Sequence, residues 1–291
     1  MQKPGHLFAL ILVLVVPLLL FAGNESTNAR NTGPSQSSAD DPQRSQATDT
    51  PKSCDARSLM FNFDDYRDGE PARQVPIWHF GDSSAFFFAA GMTIDADGAP
   101  NAYNPENTGL DDLSNAGSPG HWDGVLQDGD GNPLVQGPSD PFPGYYISCT
   151  ALADRSKPPL DPTRFVDASR IPYIVLPREV ARQTGAWLGD FAVVMNARSG
   201  KYSYAIFADV GTLGEGSIAL ADNLGIWSDA RQGGRRGGIF YVVFPGSGNG
   251  RPRALDEINS ETEKAFQEWG GEAQAGSCAK DLVPNRPFWL P

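Results

Sequence analysis

The second half of the chain alternates apolar and polar residues in short bursts. Tyr202, Tyr204 and Ile206 alternate with Ser203 and Ala205, the period of a strand with one buried face. Runs at 85–90, 144–149, 173–176, 191–195, 202–208, 217–221 and 239–244 are rich in Val, Ile, Phe and Tyr. Gly, Pro, Asn or Asp bounds most of them, which predicts strands. Helical signals are fewer. Residues 177–184 predict one short helix with Pro177 at its start. Leu255, Ile258, Ala265, Phe266 and Trp269 recur at helical spacing before Gly270-Gly271, which predicts an amphipathic C-terminal helix ended by the two glycines. The expected fold class is mainly β: a small barrel with long loops and peripheral helices, favoured over an open parallel sheet by the shortness of the strands.

The N-terminal part is organised differently. Leu7 to Gly23 is a continuous apolar run behind Lys3 and His6, shorter than the ~20 residues a spanning helix needs. Residues 1–23 are expected to be a signal peptide or an N-terminal anchor, with membrane anchoring through 7–23 as the second option and cleavage near Ala22 to Asn24 as the first. Residues 24–53 hold Ser, Thr, Asn, Gln, Asp and Pro and nothing aliphatic or aromatic larger than Ala. Such a segment buries too little apolar surface to offset chain entropy, and a disordered polar tether is expected. Asn24-Glu25-Ser26 matches a glycosylation sequon. Residues 54–291 are expected to form a single domain, exported to the cell exterior or held facing outward.

Charge and cysteine content narrow the chemistry. The net charge is −12, which disfavours nucleic acid as a partner and suits a neutral or cationic one. Arg231, Arg235 and Arg236 form one basic cluster without interleaved aromatics, read as a loop before a strand. Of Cys54, Cys149 and Cys278, one pair is expected to close a disulfide outside the cell; Cys54 with Cys149 and Cys54 with Cys278 are both open. The spacing resembles no metal knuckle, and neither a metal nor a cofactor is expected. There is no nucleophile elbow, no phosphate-binding loop and no dinucleotide fingerprint, and Ser217 has no obvious His partner.

The chemical candidates are acidic. Asp209 ends an apolar run, a loop with Gly211 and Gly214 follows, and Glu215 opens the next run. Two carboxylates across a tight loop are the minimum equipment for acid/base cleavage of a glycosidic bond. Glu215 is expected to be the acid and Asp209 the base, with the reverse open. Asp95, Asp97, Asn101 and Tyr103 form a second polar constellation. An Asp-x-Asp-Gly run hints at calcium, but the other ligands of a calcium loop are missing; a polar cleft wall is the preferred reading. His121 and Trp122 are expected at the cleft rim, and Trp78, Trp122, Tyr103 and Trp227 are the aromatic candidates for sugar stacking, with core burial as the alternative.

These residues carry a resemblance. The blocks Thr93-Ile-Asp95-Ala-Asp97-Gly-Ala-Pro-Asn101-Ala-Tyr103 and Tyr204-Ala-Ile-Phe-Ala-Asp209 through Gly214-Glu215-Gly-Ser217-Ile-Ala-Leu-Ala221, with Gly109-Leu-Asp111, Tyr145-Tyr-Ile-Ser148 and Tyr173-Ile-Val-Leu-Pro177, resemble the fungal-type chitosanases of glycoside hydrolase family 75 and, more closely, their bacterial relatives. The match spans about residues 80–270. It implies endo-hydrolysis of β-1,4-linked glucosamine polymer with inversion, and an Asp and a Glu falling on Asp209 and Glu215. The Asp-to-Glu loop is shorter than in fungal members. The same block resembles the double-psi β-barrels of secreted glycan-cleaving enzymes, implying a double-psi-like barrel. The partner implied is a polysaccharide, chitosan or a related amino-sugar polymer, and the protein is expected to be a monomer. An envelope-associated enzyme acting on peptidoglycan and a non-catalytic glycan-binding barrel are the alternatives.

Overall fold

A computed structural model describes residues 53–66 and 73–283. The expected signal or anchor, the sequon and the tether up to Lys52 lie outside these residues. The described strands are β1 (Arg57–Asp65), β2 (Arg73–Phe80), β3 (Phe86–Asp95), β4 (Gly117–Ser118), β5 (His121–Trp122), β6 (Tyr173–Val175), β7 (Phe191–Asn196), β8 (Tyr202–Asp209), β9 (Glu215–Ser217) and β10 (Arg235–Phe244). The helices are α1 (Arg178–Thr184), α2 (Ile218–Leu224), α3 (Leu255–Trp269) and α4 (Gly271–Leu282). None is long and apolar enough to cross a membrane.

The main sheet runs β1-β2-β3-β10-β7-β8-β6-β9, and β9 also pairs with β3. That last pairing closes a mixed six-stranded barrel, β3-β10-β7-β8-β6-β9, with the β1–β2 hairpin appended to β3. β6–β8 and β3–β9 are parallel; the other barrel pairs are antiparallel. Closure removes the sheet edges that an open arrangement of these strands would expose.

Alternate residues of the barrel strands divide into two buried sets, as the two-residue period dictates. Phe86, Phe88, Met92, Ile94, Ile174, Val194, Phe207, Ile239 and Tyr241 form one set together with Leu220 and Leu224 of α2, and fill the barrel. Phe88 and Tyr241 stack there with ring centroids 4.7 Å apart. Phe87, Val175, Val193, Ile206, Phe240 and Val242 point the other way. Ile258, Phe266 and Trp269 of α3, Cys278 of α4 and the loop residues Tyr103, Val125, Leu152 and Val166 cover that outer face. Residues 86–92 of β3 therefore read as an unbroken apolar run, both faces being covered there.

Several expectations are corrected. Residues 218–221 are not strand: Ser217 ends β9 and caps α2, its hydroxyl accepting the Leu220 N–H at 3.1 Å. Residues 144–149 form no strand; Val135–Tyr146 and Val125–Ser148 are isolated bridges within long loops. The helix expected to end at Gly270-Gly271 does so, α3 closing at Trp269 with Gly270 as its cap, but a further helix not expected from the sequence, α4, follows from Gly271, both glycines standing at positive φ. Between the two pairings left open, the disulfide joins Cys54 to Cys278, and Cys149 is free.

Candidate active site

A groove of about 790 Å³ lies between the outer face of β3, β9, β6 and β8 and the loops above it. Local register decides which side chains reach it. Val175 of β6 pairs with Asp209 of β8 on one side and with Glu215 of β9 on the other. The two carboxylate-bearing residues thus flank one valine, with Cα atoms roughly 10 Å apart at the usual strand spacing. All three line the groove.

Asp209 reaches this face because of an irregularity. Ile174 pairs with Phe207 and the next residue, Val175, with Asp209, so Ala208 is the extra residue of a bulge. In a regular strand Asp209 would share a side with Phe207, inside the barrel. The bulge turns it outward beside Val175, as bulges near functional sites commonly re-aim a side chain.

Hydrogen bonds hold both groups. Asp209 Oδ1 accepts the N–H groups of Ala151 and Val210 at 2.9 and 2.8 Å. Glu215 Oε2 accepts the Thr212 N–H at 2.8 Å. Gly211 makes that possible: a Cβ there would stand 2.7 Å from Glu215 Oε2. Burial, only partly offset by its two N–H bonds, pushes the Asp209 carboxyl up to about 6.

Asp95 and Asp97 line the same groove. Asp95, on β3, accepts the Asp97 N–H at 2.8 Å, and burial followed by the charges of Asp209 and Glu215 raises it well above the ordinary carboxylate range. Asp97 is raised likewise by burial, then by Asp95 and Asp209. Six carboxyl-bearing residues, Asp95, Asp97, Asp111, Asp123, Asp209 and Glu215, thus line one cleft, and the charges of their neighbours disfavour the ionised forms of Asp95, Asp97 and Asp209.

The other expected residues divide. Tyr103 lines the groove at its hydroxyl end but is 2% exposed, so its ring offers no stacking face. Asn101, His121 and Trp122 do not line the groove. His121 and Trp122 form the β4–β5 hairpin, and Trp122 packs against Tyr146 with centroids 6.5 Å apart. Trp78 packs against the outer core, and Trp227 is 60% exposed outside the groove lining. Sequence reasoning missed Asp111, Asn115, Cys149, Arg178 and Arg231 as lining residues. Arg231 crosses to a loop 120 residues away and donates from Nη2 to the carbonyls of Asn107, Gly109 and Asp111. Asp111 and Asn115 did carry a sequence signal, their places in the Gly109-Leu-Asp111 and Asn115-Ala-Gly117 stretches of the resemblance. Among the described residues no group of three or more His, Cys, Asp or Glu is arranged to hold a metal ion.

Residues 92–272 match the family described as fungal chitosanase of glycosyl hydrolase group 75. That span contains β6–β10, the groove carboxylates and α3. No curated protein matches the chain.

Proposed function

The chain belongs to the glycosyl hydrolase group 75 family of fungal chitosanases, and from that premise we propose that it is a secreted endo-acting hydrolase of β-1,4-linked glucosamine polymer. The observation that carries the reading is the register at Val175, which sets Asp209 and Glu215 on either side of one residue in one groove. Inverting glycosidases place two carboxyl groups ~6.5–9.5 Å apart, leaving room for a water between base and sugar. Side chains rising from one barrel face at two strand spacings suit such a gap. The short loop between the two residues favours a bacterial-type member, and the parallel pairs β6–β8 and β3–β9 favour a double-psi-like barrel.

The acid and base are best assigned in the order opposite to the first expectation. A carboxyl raised to about 6 holds its proton in mildly acidic solution, which suits Asp209 to protonate the leaving oxygen. Glu215, held by the Thr212 N–H, then orients the attacking water. Asp95 and Asp97 line the groove as acceptors for sugar ammonium groups. A polycation entering this cleft relieves the repulsion among its carboxylates, so the substrate's charge is part of what completes the site.

Export is supported by the apolar run at 7–23 and by the Cys54–Cys278 disulfide, a bond that persists in oxidising compartments. The decisive assay is product mass and anomeric configuration after incubation with defined glucosamine oligomers. Internal cleavage with inverted products is expected. Release of reducing ends from peptidoglycan but not from chitosan, or glycan binding without turnover, would overturn the reading.

A further inference from the structure

The two oxygens of the Asp97 carboxylate have different surroundings. Oδ1 accepts the Tyr103 hydroxyl at 2.7 Å, and that hydroxyl stands 3.4 Å from Asp111 Oδ2. Among the described residues Oδ2 accepts no hydrogen bond. The backbone around the residue is fastened from three directions. Tyr173 donates its hydroxyl to the Asp97 carbonyl at 3.0 Å. The Gly98 N–H is held by Ser148 Oγ at 3.0 Å, and the same Oγ donates to the Gly124 carbonyl at 3.1 Å.

Gly124 closes over this carboxylate from the opposite loop. A Cβ there would stand 2.8 Å from Oδ1 and 3.0 Å from Oδ2, so any side chain at 124 would collide with Asp97 or displace it. Arg231, a cation lining the groove, spends Nη2 on backbone carbonyls, and its ion pair is with Asp112 at 3.7 Å. Asp97 is thus a fixed carboxylate with one oxygen open to a groove it lines.

The geometry points to Asp97 as the group that selects a free amino sugar over its N-acetylated form, with Tyr103 as its positioning residue. This rests on the glycan-cleaving reading and deepens it. An ammonium group is compact, cationic and rich in donors, and makes a charge-assisted bond to Oδ2. An acetamido group is larger and neutral, and leaves the carboxylate without a counter-charge. Asp95 is less suited to this discrimination, because its Oδ1 already accepts the Asp97 N–H and its carboxyl also has the Tyr173 side chain as a hydrogen-bond partner.

The test is calorimetric titration of glucosamine hexamer and N-acetylglucosamine hexamer into the full chain carrying Glu215→Gln, used to suppress turnover. The same titrations follow with Asp97→Asn or Tyr103→Phe added. The background is expected to prefer the deacetylated hexamer. Asp97→Asn should shrink that preference by about 10- to 100-fold, the range for losing a hydrogen bond to a charged group. Tyr103→Phe keeps the buried ring and should shrink it by a smaller factor, which provides the test if Asp97→Asn does not fold. A preference ratio unchanged in a folded Asp97→Asn or Tyr103→Phe variant, equal weakening toward both hexamers, or a background that binds neither would overturn the inference. Binding is scored without turnover, so an inactive wild type that still discriminates through Asp97 sinks the hydrolase reading and leaves this one standing.

Discussion

Replacing Asp209 by Asn should abolish turnover and at the same time stabilise the fold. Burial moves this carboxyl from its ordinary 3.8 to about 6. In that window the native chain holds a proton that the unfolded chain has released, so native stability falls as pH rises from about 4 to about 6 and stays lower above it. The displacement corresponds to about 3 kcal/mol. That is a ceiling, since Asp209 lines an open groove where water screens its charge. Asn keeps an oxygen for the Ala151 and Val210 N–H groups and carries no charge. For a body of this size each kcal/mol moves Tm by ~2–4 °C, so a gain of about 2 kcal/mol raises Tm by ~4–8 °C. The assay is thermal unfolding of wild type and Asp209→Asn between pH 4 and 8. The two should converge near pH 4 and separate above pH 6, with the variant the more stable. A variant less stable than wild type at pH 7, or a difference independent of pH, would refute the view that this carboxylate is held ionised at a cost.

Glu215→Gln should lower kcat by orders of magnitude with the melting temperature within a few degrees of wild type; near-normal turnover would remove Glu215 from the mechanism. Hydrolysis should decline as pH rises through about 6, because the acid must be protonated; a rate that climbs through that region would return Asp209 to the role of base. Ser217→Ala should cost about 2–4 kcal/mol by thermal or urea unfolding: its buried hydroxyl caps α2, accepts the Tyr173 N–H at 3.0 Å and donates to the Ile171 carbonyl at 2.9 Å. A loss under 1 kcal/mol would contradict that. Replacing both Cys54 and Cys278 by Ser opens a closure of 224 residues and should lower stability by about 5 kcal/mol on the chain-entropy account, read as a Tm drop of ~10 °C or more.

The barrel strands were legible where the period was clean. Residues 191–195 and 202–208 carry β-branched and aromatic runs between turn residues, and β7 and β8 lie there. Ser217-Ile-Ala-Leu-Ala221 misled because five residues do not separate a two-residue period from a helical one; the capping serine was the better signal. β1 and β2 escaped notice because their sequences mix Arg, Asn, Asp and Gln with the apolar positions, as befits a partly exposed hairpin. At the site, Asp209 and Glu215 are close along the chain, which made the pair legible, but their shared groove also needs the bulge at Ala208, which no two-residue period announces. Arg231 and the carbonyls it binds are more than 100 residues apart, a meeting that only tertiary structure creates. His121 and Trp122 lie just outside the groove lining, which their neighbours Asp123 and Gly124 join, for a related reason: a polar loop motif does not say which way its hairpin folds, and this one packs Trp122 toward Tyr146.

The extra residue at Ala208 has a consequence for engineering. Deleting Ala208 leaves every chemical group of the proposed site in the protein, yet should swing Asp209 into the oily lining of the cylinder. A scan by exchange of side chains passes over such a device, whereas a scan by single-codon deletions meets it at once. Variants or homologues that differ here by one residue in length should be judged on spacing before composition.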